Sequence, residues 1–363
     1  MEFKNDTSQI SMDKFLKEIL EQPRALQETL SYFTEEKGLK DLERIKSECQ
    51  SGKYRQIIFT GMGSSNFTSQ AAATLFNDLG LSIPAFAVNA SELLHYQKHL
   101  LKPETLLICF SQSGESFEIR ELLKIRPVNG FCIGITNEKN STLTQQANIA
   151  LISKAGKEEM TSTKTYVSTA LVSFILGWSL HKEWNEKQIG KVKRTIEHFT
   201  LFLENYQNKI YQIIDFLGEL PALTIIARGP SISTAHQSAL MCKEAIKIPA
   251  FSMLGGEFRH GPMEMVGEQT KTVLFAPLGR TYIQNIKMAE DIARFGGKVL
   301  LITNSEYVSE TPNILVEKVK ADDEYLFAIE AILPMQLFVD LYAKKQGFYA
   351  GSFSHGAKVT TVE

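Results

Sequence analysis

The chain reads as an α/β protein: two tandem, doubly wound parallel-sheet units of the flavodoxin-like type, with a helical segment before them and a tail after them. Three observations predict this. Apolar runs with strand character stop at small polar residues and continue as helical patterns. The same succession occurs twice at an almost constant offset. A chain of 363 residues, 44% of them hydrophobic, is also long and apolar enough for two sizeable cores. In sheets of this kind ligands lie outside the carboxyl ends of the strands, so the loops at those ends are the first site candidates.

Residues 1–50 form the helical segment. From Met12 to Leu20 apolar and charged residues recur at helical spacing, and Pro23 suits the first turn of a second helix. The first sheet unit spans 51–185. There Ile57-Ile58-Phe59-Thr60 runs into Gly61-Met62-Gly63-Ser64-Ser65, and Leu106 to Phe110 runs into Ser111-Gln112-Ser113-Gly114-Glu115-Ser116. A helical pattern follows from Phe117, and Phe131 to Thr136 is a further strand. Residues 186–208 read as a polar helical bridge with a solvated charged face. The second unit spans 209–346 and repeats the first. Thr224 to Ser231 answers Ile57 to Ser65, Val273 to Ala276 answers Leu107 to Phe110, and Lys298 to Glu306 answers Phe131 to Glu138. Gly61 and Gly229 are 168 positions apart, and Thr136 and Thr303 are 167 apart. Residues 347–363 are a Gly- and Ser-containing tail.

The loop from Ser111 to Ser116 has the character of an anion site. The first N–H groups of a helix lack intrahelical partners and the dipole favours negative charge there. Three serines add hydroxyl donors, and no Lys or Arg lies in the loop. A serine capping an ordinary helix explains the same residues locally. The repeat raises the site reading above it, because the loop falls at the carboxyl end of a strand in a doubly wound unit.

Bulk properties narrow the class. A formal net charge of −2 provides no electrostatic reason to expect nucleic acid. The four cysteines, Cys49, Cys109, Cys132 and Cys242, have no disulfide-framework or zinc-site spacing, and a cytoplasmic protein with reduced thiols is expected. The apolar stretch Thr169 to Leu180 is too short to span a bilayer and reads as a buried helix. The polar N-terminus has no signal-peptide pattern. No membrane partner is expected.

The motifs together resemble the sugar isomerase (SIS) domain family. Gly61-Met62-Gly63-Ser64-Ser65, Ser111 to Ser116 and Thr161-Ser162-Thr163-Lys164 are similar to its three signatures. Met241-Cys242-Lys243-Glu244, Gly255 to Pro262 and Ala357-Lys358 with Thr361-Val362-Glu363 extend the likeness. The arrangement resembles the isomerase part of glucosamine-6-phosphate synthase, aminosugar-phosphate isomerase/deaminases and fructosamine-6-phosphate deglycases.

That resemblance implies residue roles. Ser64 and Ser65, with Ser111, Gln112, Ser113 and Ser116, match positions that hold a sugar 6-phosphate, and Ser162 matches one that contacts the sugar. Glu244 matches the base that moves a proton between C1 and C2. His260 matches a ring-opening histidine supplied by the neighbouring subunit, so a homodimer or dimer of dimers with a shared site is implied. Lys358 matches a lysine at the reacting end, which makes the tail part of the site. No metal and no redox cofactor is implied.

The residues themselves suit these roles. A carboxylate serves carbon-acid proton transfer, and an imidazole titrating near neutrality serves ring opening. A surface glutamate paired with Lys243 or Lys247, a histidine stitching a glycine-rich loop, and a solvated tail lysine are the plain alternatives. Glu244 is expected at the start of the second repeat's first helix. Met241 stands where the synthase has a lysine, and position 2 is Glu2 where a glutaminase would need cysteine. Amine removal from an amino sugar or fructosamine 6-phosphate is therefore expected over amine installation, with a non-catalytic sugar-phosphate-binding or regulatory module as the alternative. His95, His99, His181, His198, His236 and His355 are expected to be structural or surface residues.

Overall fold

The structure, a computed structural model, describes residues 13–351 and Lys358; the expectations for Met12, His355, Ala357 and the last residues Thr361 to Glu363 lie outside that range. Three helices open the described chain: α1 (Lys14–Leu20), α2 (Gln22–Thr34) and α3 (Glu36–Cys49). Pro23 occupies the first turn of α2, where its missing N–H costs nothing. The first sheet unit follows as β1 (Gln56–Gly61), α4 (Ser64–Asp78), β2 (Ala85–Asn89), α5 (Ala90–His95), β3 (Thr105–Phe110), α6 (Phe117–Ile125), β4 (Cys132–Thr136), α7 (Thr142–Gln146), β5 (Ile149–Ile152) and α8 (Lys164–Leu180). Helices α9 (Glu186–Glu204) and α10 (Tyr206–Leu217) lead to the second unit. That unit comprises β6 (Leu223–Ala227), α11 (Ser231–Ala245), β7 (Ala250–Leu254), α12 (Gly255–Arg259), β8 (Lys271–Ala276), α13 (Tyr282–Arg294), β9 (Lys298–Thr303), β10 (Ile314–Lys318), α14 (Glu324–Glu330) and α15 (Ile332–Lys345).

Both sheets have five strands, and all their pairings are parallel. Their orders are β2-β1-β3-β4-β5 and β7-β6-β8-β9-β10, so the second repeats the topology of the first. The strand order reverses between β1 and β3, and again between β6 and β8. Crevices that accept ligands form at such reversals. β3 is buried along its whole length, as a central parallel strand covered on both faces must be. The edge strands β2 and β7 alternate more and leave Phe86 and Phe251 exposed.

One continuous core joins the units. It contains Phe59 and Phe110 from the first sheet, Val273 and Phe275 from the second, and Phe15, Leu26 and Phe33 from the N-terminal helices. Helix α8 is buried on nearly all sides and packs against α4 of the first unit and α14 of the second. The span Glu324–Lys345, comprising α14 and α15, is long and apolar enough to cross a membrane by composition, but 94% of its most apolar window is buried inside the protein. Cys109 and Cys132 are neighbours in β3 and β4, with sulfur atoms 3.9 Å apart in the core.

Candidate active site

The loops after β1 and β3 flank the strand-order reversal of the first sheet. After β1 the chain turns at Gly63, whose φ of +50° suits glycine, and enters α4 at Ser64 and Ser65. After β3 the hydroxyls organise one another. Ser111 and Ser116 hydroxyl oxygens are 3.0 Å apart, and Ser111 Oγ accepts the Gly114 N–H at 3.0 Å. Ser113 Oγ accepts the Glu115 N–H at 3.2 Å. The Gln112 carbonyl accepts the Asn137 N–H at 3.1 Å, which ties the loop to the end of β4. Among the described residues neither α4 nor α6 receives a side-chain cap; the first turn of α4 carries no acidic residue, and that of α6 carries the buried Glu118.

Glu244 lies at the end of α11, the first helix of the second unit, and not at its start as the sequence suggested. The reason is that α11 begins at once after Gly229-Pro230, so Glu244 is the fourteenth of its 15 residues. This reverses which end of the unit the carboxylate serves. Helix α11 packs antiparallel on α4: the Phe67 and His236 rings lie 5.1 Å apart, and Gly63 approaches Leu240. Continuing one turn beyond Leu240 carries Glu244 past the first turn of α4. There the Thr161 hydroxyl donates to the Glu244 carboxylate. The Ser162 carbonyl accepts from Gln237 of α11 at 2.9 Å. Met241, one turn before Glu244, is fully buried in the helix interface.

Lys358 is brought to the same segment. Its ammonium donates to the Glu158 carboxylate at 2.5 Å and to the Met160 carbonyl. Lys358 and Glu244 are thus held by residues 158–161, although they are far apart in the chain. Glu158 itself carries no family signature and sequence reasoning passed over it, while Thr161 was named within a signature but given no role. The weak signal for Thr161 was its place in the Thr161-Ser162-Thr163 run.

His260 is not brought into this group. It caps the C-terminal end of α12, is exposed, and donates its backbone N–H to Glu257. Strand β7 separates Glu244 from α12, and five residues of strand span roughly 16 Å. Within one chain, then, Glu244 faces the crevice of the first sheet, and His260 lies at the carboxyl end of the second. Three other histidines are structural in character: His236 meets Ser252 at 2.6 Å, with its pKa lowered by burial, His198 meets Glu330, and His181 meets Glu183.

The second unit has the matching crevice, but the loop after β8 carries Arg280, which pairs through two contacts with Asp78 at the end of α4. Tyr325 donates to the same carboxylate at 2.8 Å. A cavity of about 820 Å³ lies elsewhere, behind residues 154–159 and beneath α1 and α2. Its charges are largely paired, as in Lys164 with Glu21 and Lys14 with Glu159, and the serine loops do not line it. The hydroxyl loops lie at the crevice of the first sheet and not at this cavity.

Residues 53–176, which contain both hydroxyl loops and Ser162, match the SIS domain. That segment belongs to the SIS-domain family. A glutamine–fructose-6-phosphate aminotransferase [isomerizing] of Thermococcus kodakarensis is 28% identical over 357 residues, 96% of this chain and 58% of that protein. A namesake from Pyrococcus horikoshii is 28% identical over 353 residues, and this chain spans 57% of its length. The chain thus spans somewhat more than half of these curated relatives. Among solved structures, the C-terminal domain of glucosamine-fructose-6-phosphate aminotransferase from Francisella tularensis superposes with a TM-score of 0.79 at 24% identity, covering 92% of this chain and 96% of that one. Tagatose-6-phosphate ketose/aldose isomerase from Escherichia coli gives 0.79 at 18% identity, covering 98% and 100%. Glucosamine-6-phosphate deaminase from Thermotoga maritima gives 0.74 at 22%, covering 95% and 99%. These likenesses establish the SIS fold for nearly the whole chain.

Proposed function

We propose that this chain is a phosphosugar isomerase-type enzyme acting on an amino sugar 6-phosphate or a fructosamine 6-phosphate. It opens the sugar ring, transfers a proton between C1 and C2, and releases ammonia or an amine by hydrolysis. The observation that carries this reading is the convergence of Glu244 and Lys358 on residues 158–161, beside the first turn of α4. A carbon-acid proton must leave and return near one carboxylate, and an anion held by the hydroxyl loops presents the rest of the sugar to it. Ser64, Ser65, Ser111, Gln112, Ser113 and Ser116 hold the phosphate, and Ser162 contacts the sugar. Glu244 is the base, with Thr161 orienting it, and Lys358 meets the reacting end. His260 opens the ring of a substrate bound by a neighbouring copy in a homodimer or dimer of dimers. The names of relatives, an isomerizing aminotransferase, a deaminase and a ketose/aldose isomerase, support this class of substrate.

The test is a panel of 6-phosphates: glucosamine, galactosamine, and the fructose adducts of lysine and asparagine. Release of ammonia or free amine, with glucose 6-phosphate or fructose 6-phosphate as coproduct, is expected from one of them. Tight binding with neither product nor solvent deuterium at C1 or C2 would instead establish a sugar-phosphate-binding module.

A further inference from the structure

We propose that Glu158 is a positioning residue of the site: it locks Lys358, the substrate-facing segment 158–162 and the start of α8 into one unit. This rests on the reading of that segment given above. The Glu158 side chain is 0% exposed, and its two oxygens meet five donors. It accepts from the Thr163 N–H at 2.9 Å, the Thr163 hydroxyl at 3.2 Å, the Thr165 N–H at 3.1 Å, the Thr165 hydroxyl at 2.5 Å and the Lys358 ammonium at 2.5 Å. Burial would by itself push this carboxyl up, but the Lys358 charge and hydrogen bond, then those of the threonines, hold it below the usual range. A fully buried carboxylate with every lone pair engaged is a fixed anchor point.

The anchor reaches three parts of the site. Thr163 is the cap residue of α8, so Glu158 sits where the helix dipole favours an anion. Lys358 also donates to the Met160 carbonyl, so the lysine grips the segment at two points. Thr161 follows immediately and holds Glu244. Moving Glu158 therefore displaces both the lysine and the orienting partner of the base, while the serine loops stay in place.

The experiment measures the Lys358 amine directly. Brief acetylation of the intact protein, read by mass spectrometry, compares Lys358 with Lys40, an exposed helix lysine. In the parent Lys358 reacts more slowly than Lys40, and in Glu158→Gln its rate rises about tenfold or more, as loss of a charge-assisted bond predicts. An unchanged rate overturns the proposal. Glu158→Asp keeps the charge at α8 and withdraws it by one methylene. Its folding is thus protected if the glutamine variant misfolds, and its Lys358 rate must also rise; no rise overturns the proposal.

Turnover of glucosamine 6-phosphate supplies the second readout. Glu158→Gln is expected to lower kcat about tenfold to a hundredfold with KM within about threefold of the parent. In a Lys358→Met background the same change is expected to cost little more. A raised KM at unchanged kcat, or fully additive losses, would overturn positioning through Lys358. The labelling result needs no substrate, so an inactive parent would count against the proposed reaction and leave the Glu158 anchor tested on its own.

Discussion

A single carboxylate carries the chemistry proposed for this chain. Glu244 touches Thr161 and stands one helical turn from the fully buried Met241, so its immediate support is one hydroxyl and an apolar helix face. Glu244→Gln keeps the shape and removes the base. The rate should fall by about a hundredfold to ten-thousandfold, while binding of a phosphorylated inhibitor is retained. Turnover together with solvent-deuterium exchange at C1 or C2 checks this; exchange at the parental rate would show that another group moves the proton. The hydroxyls are predicted to act on binding instead. Ser113→Ala should weaken a sugar 6-phosphate by about tenfold to a hundredfold, the size of one charge-assisted hydrogen bond. Isothermal titration with glucose 6-phosphate and glucose provides the comparison, and equal affinity for the two would remove the phosphate site.

Among elements, the loop between β3 and α6 and the contact of α1 with residues 158–160 are the most exacting. Gly114 has a φ of +67°, and a Cβ there would lie 2.1 Å from the Ser141 hydroxyl. Gly114→Ala therefore combines a left-handed backbone penalty of about 1–2 kcal/mol with a steric clash. It should lower the thermal midpoint and abolish phosphate binding together. Helix α1 contributes Glu18, a buried side chain that accepts the Glu159 and Met160 N–H groups. Burial raises its pKa from 4.5 to about 7, against the opposing hydrogen bonds from Glu159 and Met160. The folded chain thus binds this proton more tightly than the unfolded chain. The contribution to stability is complete below about pH 4.5 and is lost as pH rises through about 7. The midpoint of the parent should fall between pH 5 and pH 8, and Glu18→Gln should flatten that fall by on the order of 1–2 °C. Parallel pH profiles for the two proteins would show that Glu18 is not responsible.

At the scale of the molecule, the two units share a topology but not a chemistry. The crevice of the first is lined with hydroxyls, and the loop after β8 in the second carries the Arg280–Asp78 pair. Fusion of both units through α4, α8 and α11 into one core places the end of α11 at the first crevice and α12 at the far end of the second sheet. On the proposed reading, a site using both Glu244 and His260 draws them from two copies of the chain. Mixing Glu244→Gln with His260→Ala under exchange conditions should restore about a quarter of parental activity, since half of the random dimers are mixed and each has one intact site. No recovery in demonstrably mixed dimers would show that each chain supplies both residues.

The repeat, the parallel sheets, the loop chemistry and the N-terminal helices were legible in the chain because they rest on local signals: period, small residues at strand ends, and the fixed offset between Gly61 and Gly229. The short strands β2, β5, β7 and β10 were not, because edge and half-buried strands of four or five residues carry little pattern. Nor could spacing alone tell which end of α11 meets the serine loops; that follows from the antiparallel packing of α4 on α11. Lys358 has no local feature to distinguish it from a solvated tail lysine. Its place is decided by Glu158, 200 residues away, because only a folded core can bury a carboxylate and bring it an ammonium at that distance in the chain.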